Sequence, residues 1–241
     1  MSSSKEVEGI ILSIQDYKEH DGLVSILTCN EIFSFQARGI HKPNAKNRSL
    51  VQPFTYVHLS LVERSLPILT TGHVLQSFYH VQEDLTVQSV LNVLVDCLKH
   101  TTISDSMFIN FKSCLESFHL GHSNGYTYAC MILKDILKEE GISIHVSDCV
   151  SCHRKDHIET ISLLDGGFLC STCNHGRIRK YSKDELIQYH SLFVYKDNQR
   201  EDLANMYDFT LSDFLFLVRW FLEYTSLHFA SYSFLQSIVS L

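Results

Sequence analysis

Cys149-x2-Cys152 and Cys170-x2-Cys173 are the residues of this chain best spaced to do chemistry, and that chemistry is metal binding. An x2 spacing lets both sulfurs of one tight turn reach the same ion. Two such knuckles, 17 residues apart, supply the four corners of a tetrahedron, the arrangement Zn²⁺ adopts in structural sites. Four thiolates close the coordination shell and leave no position for water or substrate. The metal is therefore expected to brace a fold. His153, His157 and His175 lie near enough to the knuckles to replace a cysteine, so that exchange stays open.

A catalytic rival shares part of this pattern. Zinc-dependent nucleobase deaminases carry H-x-E before P-C-x-x-C, with the Glu as acid and base. His157-Ile158-Glu159 and Cys170-x2-Cys173 imitate it. However, Leu169 stands where the proline belongs, only ten residues separate the halves, and the first knuckle would have no role. Phosphate-binding G-x-x-x-x-G-K-[ST], hydrolase G-x-S-x-G and metalloprotease H-E-x-x-H are all missing. The chain is expected not to be an enzyme, and any work on a partner must run on binding energy without ATP.

The other candidate site is electrostatic. Residues 32–62 contain no acid, yet hold Arg38, Lys42, Lys46 and Arg48, with His41 among them. Gly39 and Pro43 mark this stretch as a turn leaving a strand. Four cations on one loop can track a phosphate backbone by displacing its counterions. The bland alternative is a solvated loop. Tyr56 and His58 lie on the opposite strand face from Thr55, Val57, Leu59 and Leu61, so Tyr56 could offer a base a stacking surface. A second cluster, His175 to Lys180, follows the last knuckle and reads mainly as compensation for the negative thiolates.

The elements that must position these residues divide near position 80. Val7–Ile14, Leu23–Thr28, Glu31–Arg38, Phe54–Val62 and Ile68–Phe78 read as five short strands, separated by turn signals such as Asp21-Gly22 and Pro43-Asn44. Five strands without helical period imply a small barrel, of which the OB-fold is the commonest form. From Leu85 the apolar period turns helical, predicting helices over 85–98, 107–118, 126–138, 212–223 and 230–238. Gly141 suits a helix C-cap and Ser182 to Glu185 forms a capping box. The expected class is thus α+β: a barrel domain over 1–80, then a helical domain over 81–241 with a zinc insert at 146–176.

Composition sets the wider bounds. The chain has 241 residues, 45% of them apolar, and a formal net charge of -7. Lys/Arg and Asp/Glu balance over 1–80, so the acidity lies wholly in 81–241. The run Phe214–Leu227 is too short and too charged to span a bilayer. With no signal-peptide pattern at the N-terminus, the expected location is a reducing cytosol, without membrane partners. Cys29, Cys97, Cys114 and Cys130 are then expected as buried thiols.

Several motifs together resemble the RecO family of bacterial recombination mediators over nearly the full length. Gly9-Ile-Ile-Leu12, Tyr17, Asp21, Leu23 and Thr28 look like its opening strands. Ala37-Arg38-Gly39-Ile40 and Leu50-Val-Gln-Pro-Phe54 resemble its N-terminal signatures. Asp148-Cys149-Val-Ser-Cys152 and Asp165-Gly-Gly-Phe-Leu-Cys170-Ser-Thr-Cys173 resemble its zinc segment. The resemblance implies an OB-fold, binding of single- and double-stranded DNA, and annealing of complementary strands. It also implies work with RecR to load RecA onto DNA coated by single-stranded-DNA-binding protein, whose acidic tail the helical domain would hold. Such a protein would sit on the nucleoid. Arg38, Lys42, Lys46 and Arg48 fall on the family's basic region. One departure is Tyr232, which stands where members usually carry a base. A protein-docking module that holds its zinc but binds no DNA is the rival reading.

Overall fold

The computed structural model describes residues 3–240. In chain order, β1 (Ser4–Tyr17), β2 (Asp21–Leu27), β3 (Ile32–Ala37), β4 (Thr55–Val62) and β5 (Ile68–Ser77) come first. Three helices follow: α1 (Leu85–Leu98), α2 (Asp105–His119) and α3 (Gly125–Glu139). A hairpin of β6 (Ile158–Ser162) and β7 (Gly167–Cys170) leads into the single turn α4 (Ser171–Asn174). The chain closes with α5 (Lys183–Val194), α6 (Arg200–Met206), α7 (Leu211–Thr225) and α8 (Ala230–Val239).

Strands β1 to β5 form a closed barrel in the order β1-β2-β3-β5-β4. That order is the Greek-key path of an OB-fold. β1 is long enough to pair with β4 through Ser4–Ile10 and with β2 through Ile10–Tyr17. An irregularity between Ile11 and Ser13 re-aims the strand where it changes partner. Gly9 sits at this corner because a Cβ there would lie 2.5 Å from the Leu27 carbonyl oxygen. Closure is parallel, between β3 and β5, where the Gln36 amide donates to the Pro67 carbonyl at 2.8 Å.

Strict alternation fills the interior. In β4, Thr55, Val57, Leu59 and Leu61 point inward, while Tyr56, His58, Ser60 and Val62 face out. Val24, Ile26, Phe35, Leu50 and Val51 complete the barrel core. The face expected from the sequence is thus the one buried.

The chain forms two compact units: Met1–Gly125 with Phe229–Leu241, and Tyr126–His228. This division by compactness falls elsewhere than the change from strand to helix near residue 80. In the first unit α2 packs on the barrel, with the Phe108 ring 6.3 Å from Tyr56, and α8 returns to α1, where Ser231 donates to Asp96 at 2.6 Å. Asp84 caps α1 by accepting from the Thr86 and Val87 amides.

In the second unit α3 ends as Gly141 suggests. Gly141 has φ +70°, its amide donates to Lys138, and the Ile142 amide donates to Leu137, the paired bonds of a Schellman cap. Capping boxes open α5 at Ser182 and Glu185 and α7 at Thr210 and Asp213. Buried Trp220 of α7 donates its indole N–H to the Ile142 carbonyl at 2.9 Å. Among the described residues no helix is long and apolar enough to cross a membrane. Cys97, Cys114 and Cys130 are buried, but Cys29 is exposed, because the turn after β2 carries it out of the barrel.

Candidate nucleic-acid interface and metal centre

The cationic segment leaves β3 at Ala37 and runs through turns to a short 3-10 helix at Arg48–Val51. Arg38, His41, Lys42, Lys46 and Arg48 are all exposed. Their backbone is nevertheless tied down. Leu50 and Val51 plug into the barrel core, and Ile40 is buried beside them.

Asp21, at the start of β2, holds the loop's base. One carboxylate oxygen accepts from the Gly39 amide at 2.8 Å, and the other from Gln36 Nε2 at 2.5 Å. The Gly39 amide is the main reason that this carboxyl lies below its usual range; burial opposes it, and Gln36, Lys18 and Arg38 add to the lowering. Gly39 adopts φ +62°, a conformation that favours glycine. The His41 amide donates to the His20 carbonyl at 3.1 Å, and its Nε2 lies 3.3 Å from Asp16. Arg48 donates to the Lys42 carbonyl at 3.0 Å. Among the described residues, Arg38, Lys42, Lys46 and Arg48 form no ion pair with an acid. Their charges face solvent.

Tyr56 is not brought to this loop. It pairs with Ile10, six residues along β1 from Asp16, a separation of roughly 20 Å. Its hydroxyl donates to Glu8, and Lys112 of α2 lies 4.5 Å above its ring. Sequence alternation showed that the ring points outward, but not that α2 would cover it.

The four expected cysteines do meet. The sulfurs of Cys149, Cys152, Cys170 and Cys173 all lie within 4.8 Å of one another. Cys152 and Cys170 are 3.6 Å apart, close to the roughly 3.8 Å edge of a tetrahedron with 2.3 Å zinc–sulfur bonds. The first knuckle is a turn closed by the His153 amide on the Cys149 carbonyl at 2.8 Å. The second runs from the end of β7 into α4. Register joins them: Ile158 pairs with Cys170, and the Val150 amide donates to the Phe168 carbonyl. This hairpin was not expected from the sequence, where its two strands are only five and four residues long.

Backbone amides are aimed at the sulfurs. Burial opposes ionisation of Cys149, but the amides of Cys170, Cys152 and Ser151 outweigh it and draw the thiol down to about 6. The Cys173 amide holds Cys170 down as well. Cys173 is pushed up to about 12, first by its hydrogen bond with Cys152. Four adjacent thiols are thus pulled in opposite directions, Cys149 and Cys170 toward the thiolate and Cys152 and Cys173 toward the thiol. A divalent cation would hold all four as thiolates. The group could hold a metal ion.

None of the three nearby histidines joins this group. His153 faces Asp148 at 3.4 Å, and His157 faces Asp156 at 3.8 Å. His175 instead forms the left-handed cap of α4, at φ +49°. Glu159, the acid of the deaminase-like pattern, accepts from Lys180 at 2.9 Å and from Asn174 at 3.0 Å. The arginines and the lysine of the second basic cluster are paired: Arg177 with Asp165, Arg179 with Glu185, and Lys180 with Glu159.

The chain is similar to known proteins over nearly its whole length. Residues 1–78 match the family described as Recombination protein O N terminal, and residues 85–211 match Recombination protein O C terminal. The DNA repair protein RecO of Syntrophomonas wolfei is 30% identical over 174 residues, covering 69% of this chain and 68% of that protein. The RecO proteins of Halalkalibacterium halodurans and Bacillus subtilis are 25% and 24% identical, over 98% and 97% of this chain and 96% and 94% of their own lengths. The chain belongs to the RecO family.

Proposed function

We propose that this RecO-family chain is a DNA repair and recombination mediator. It binds single- and double-stranded DNA through the OB barrel of residues 1–80 and anneals complementary strands without ATP. In the same reading it works with RecR to load RecA onto DNA coated by single-stranded-DNA-binding protein, whose acidic tail docks on the helical part over 81–241. It acts in the cytoplasm, at the nucleoid.

One observation carries the reading: Arg38, Lys42, Lys46 and Arg48 leave a closed barrel on one anchored loop, exposed and in no ion pair among the described residues. Charge held at fixed positions costs less ordering when a phosphate backbone arrives. His41 joins them where it stands beside Asp16, whereas Tyr56, farther along the barrel, would have to release Lys112 before a base could stack on that face. The names of the relatives support the repair role.

Cys149, Cys152, Cys170 and Cys173 hold a structural Zn²⁺ in this reading. The ion adds a link between two knuckles that the chain already joins through β6, β7 and the Val150–Phe168 backbone bond. It leaves no open coordination position, so the work on DNA falls to the loop.

Annealing of complementary oligonucleotides tests the proposal. The purified chain should accelerate duplex formation without nucleotide, and still do so when the strands carry single-stranded-DNA-binding protein. Duplex formation no faster than in buffer, at low salt and without the coating protein, would overturn it.

A further inference from the structure

The loop does not stand alone at the barrel's end. Beside it the turn between β1 and β2 carries Lys18, held in the left-handed region at φ +56°. Turn and loop line a shallow depression of about 670 Å³, the turn contributing Lys18 and His20 and the loop Arg38 and Lys42. Gly39 and Asp21 line it too, and the bond between them ties the loop to β2.

The charges in this depression are arranged for an anion. Asp21 is its inner acid, and both carboxylate oxygens already accept hydrogen bonds, from Gly39 and Gln36. Lys18 and Arg38 approach closely enough to act on Asp21, yet neither forms an ion pair among the described residues. The outer acid, Glu19, is almost fully exposed and turned to His20 at 3.8 Å. Lys18 instead rests its ammonium 5.1 Å from the Tyr17 ring.

We infer that the DNA-backbone seat is composite: Lys18 of the β1–β2 turn makes a phosphate contact opposite the one made by Arg38 and Lys42. This rests on the DNA-binding reading above and adds a residue outside the acid-free stretch. A phosphodiester seated over Gly39 would have cations on both flanks, from two elements joined by the His41–His20 backbone bond. The backbone that carries both flanks is set before the strand arrives, which lowers the ordering cost of binding.

The test is binding of a single-stranded oligonucleotide to the full chain across a salt series. Removing one phosphate contact on single strands lowers the slope of log affinity against log salt by about 0.7. Lys18→Ala should show that drop, Lys18→Arg should restore the slope, and Lys183→Ala on α5 should leave it unchanged. Lys42→Ala reports on the loop independently. A normal slope in Lys18→Ala beside a reduced slope in Lys42→Ala would overturn the composite seat and leave DNA binding by the loop intact. Normal slopes in both, and in a variant lacking all four loop cations, would overturn the seat together with the DNA reading. Thermal melts of the two Lys18 variants separate a lost contact from a disrupted turn.

Discussion

Asp21 shows how one carboxylate can serve a cationic surface. It places a negative charge among cations, and on charge alone its removal should tighten DNA binding. Its oxygens, however, fix Gly39 and Gln36, and with them the direction in which the loop leaves β3. Asp21→Ala is therefore expected to weaken binding to a single-stranded oligonucleotide. It should also speed hydrogen exchange at the Gly39 amide, by about tenfold for one lost charge-assisted bond. Tighter binding with unchanged exchange would show that only charge matters there. The pH dependence has a definite sign. The folded carboxyl lies below its ordinary value, so its stabilising effect is complete above about pH 4 and fades as pH falls further. Between pH 5 and 8 the loop's anchor should not change. At this scale the cysteines were legible because x2 spacing is itself a geometric statement. Tyr56 was only half legible: alternation gives a side chain's direction, but Lys112, which covers the ring, lies on a helix distant in sequence.

Two elements position everything else. The barrel depends on the corner of β1, where Gly9 lets β2 approach. Gly9→Ala pushes a methyl against the Leu27 carbonyl and Ile26 and should cost about 1–3 kcal/mol as overpacking. Urea unfolding would detect it as a lower midpoint, and an unchanged midpoint would contradict the close approach. The metal hairpin depends on its sulfurs. Cys149→Ser should abolish stoichiometric zinc and lower the protection of β6 and β7 amides by about a hundredfold, equivalent to about 2.7 kcal/mol. Chelation of the unaltered chain should do the same. Full protection without metal would show that the hairpin stands unaided. Long elements with regular apolar spacing were legible: α1 runs over the same residues that its pattern marks. β6, β7, α4 and α6 were not, because four to seven residues carry too little period to distinguish strand, turn and helix. Cys29 was misjudged for a related reason, since an apolar strand gives no sign of where its turn lifts a thiol outward.

For the whole molecule, charge and connectivity were legible to different degrees. The acid-free stretch 32–62 pointed directly to the exposed cations, because a run of one sign cannot neutralise itself. The second basic cluster looks similar as a string, yet each of its cations meets an acid brought by folding: Asp165, Glu185 and Glu159. The compact units were not legible from composition. Residues 229–241 rejoin the first unit through α8 on α1, a return that no local pattern encodes. The account as a whole rests on the loop of the first unit clasping a polyanion, and the salt dependence of single-stranded DNA binding tests this most directly. With Arg38, Lys42, Lys46 and Arg48 all replaced by Ala, the slope of log affinity against log salt should fall by about three, at about 0.7 per lost phosphate contact. A variant that binds with the affinity and slope of the unaltered chain would contradict the account.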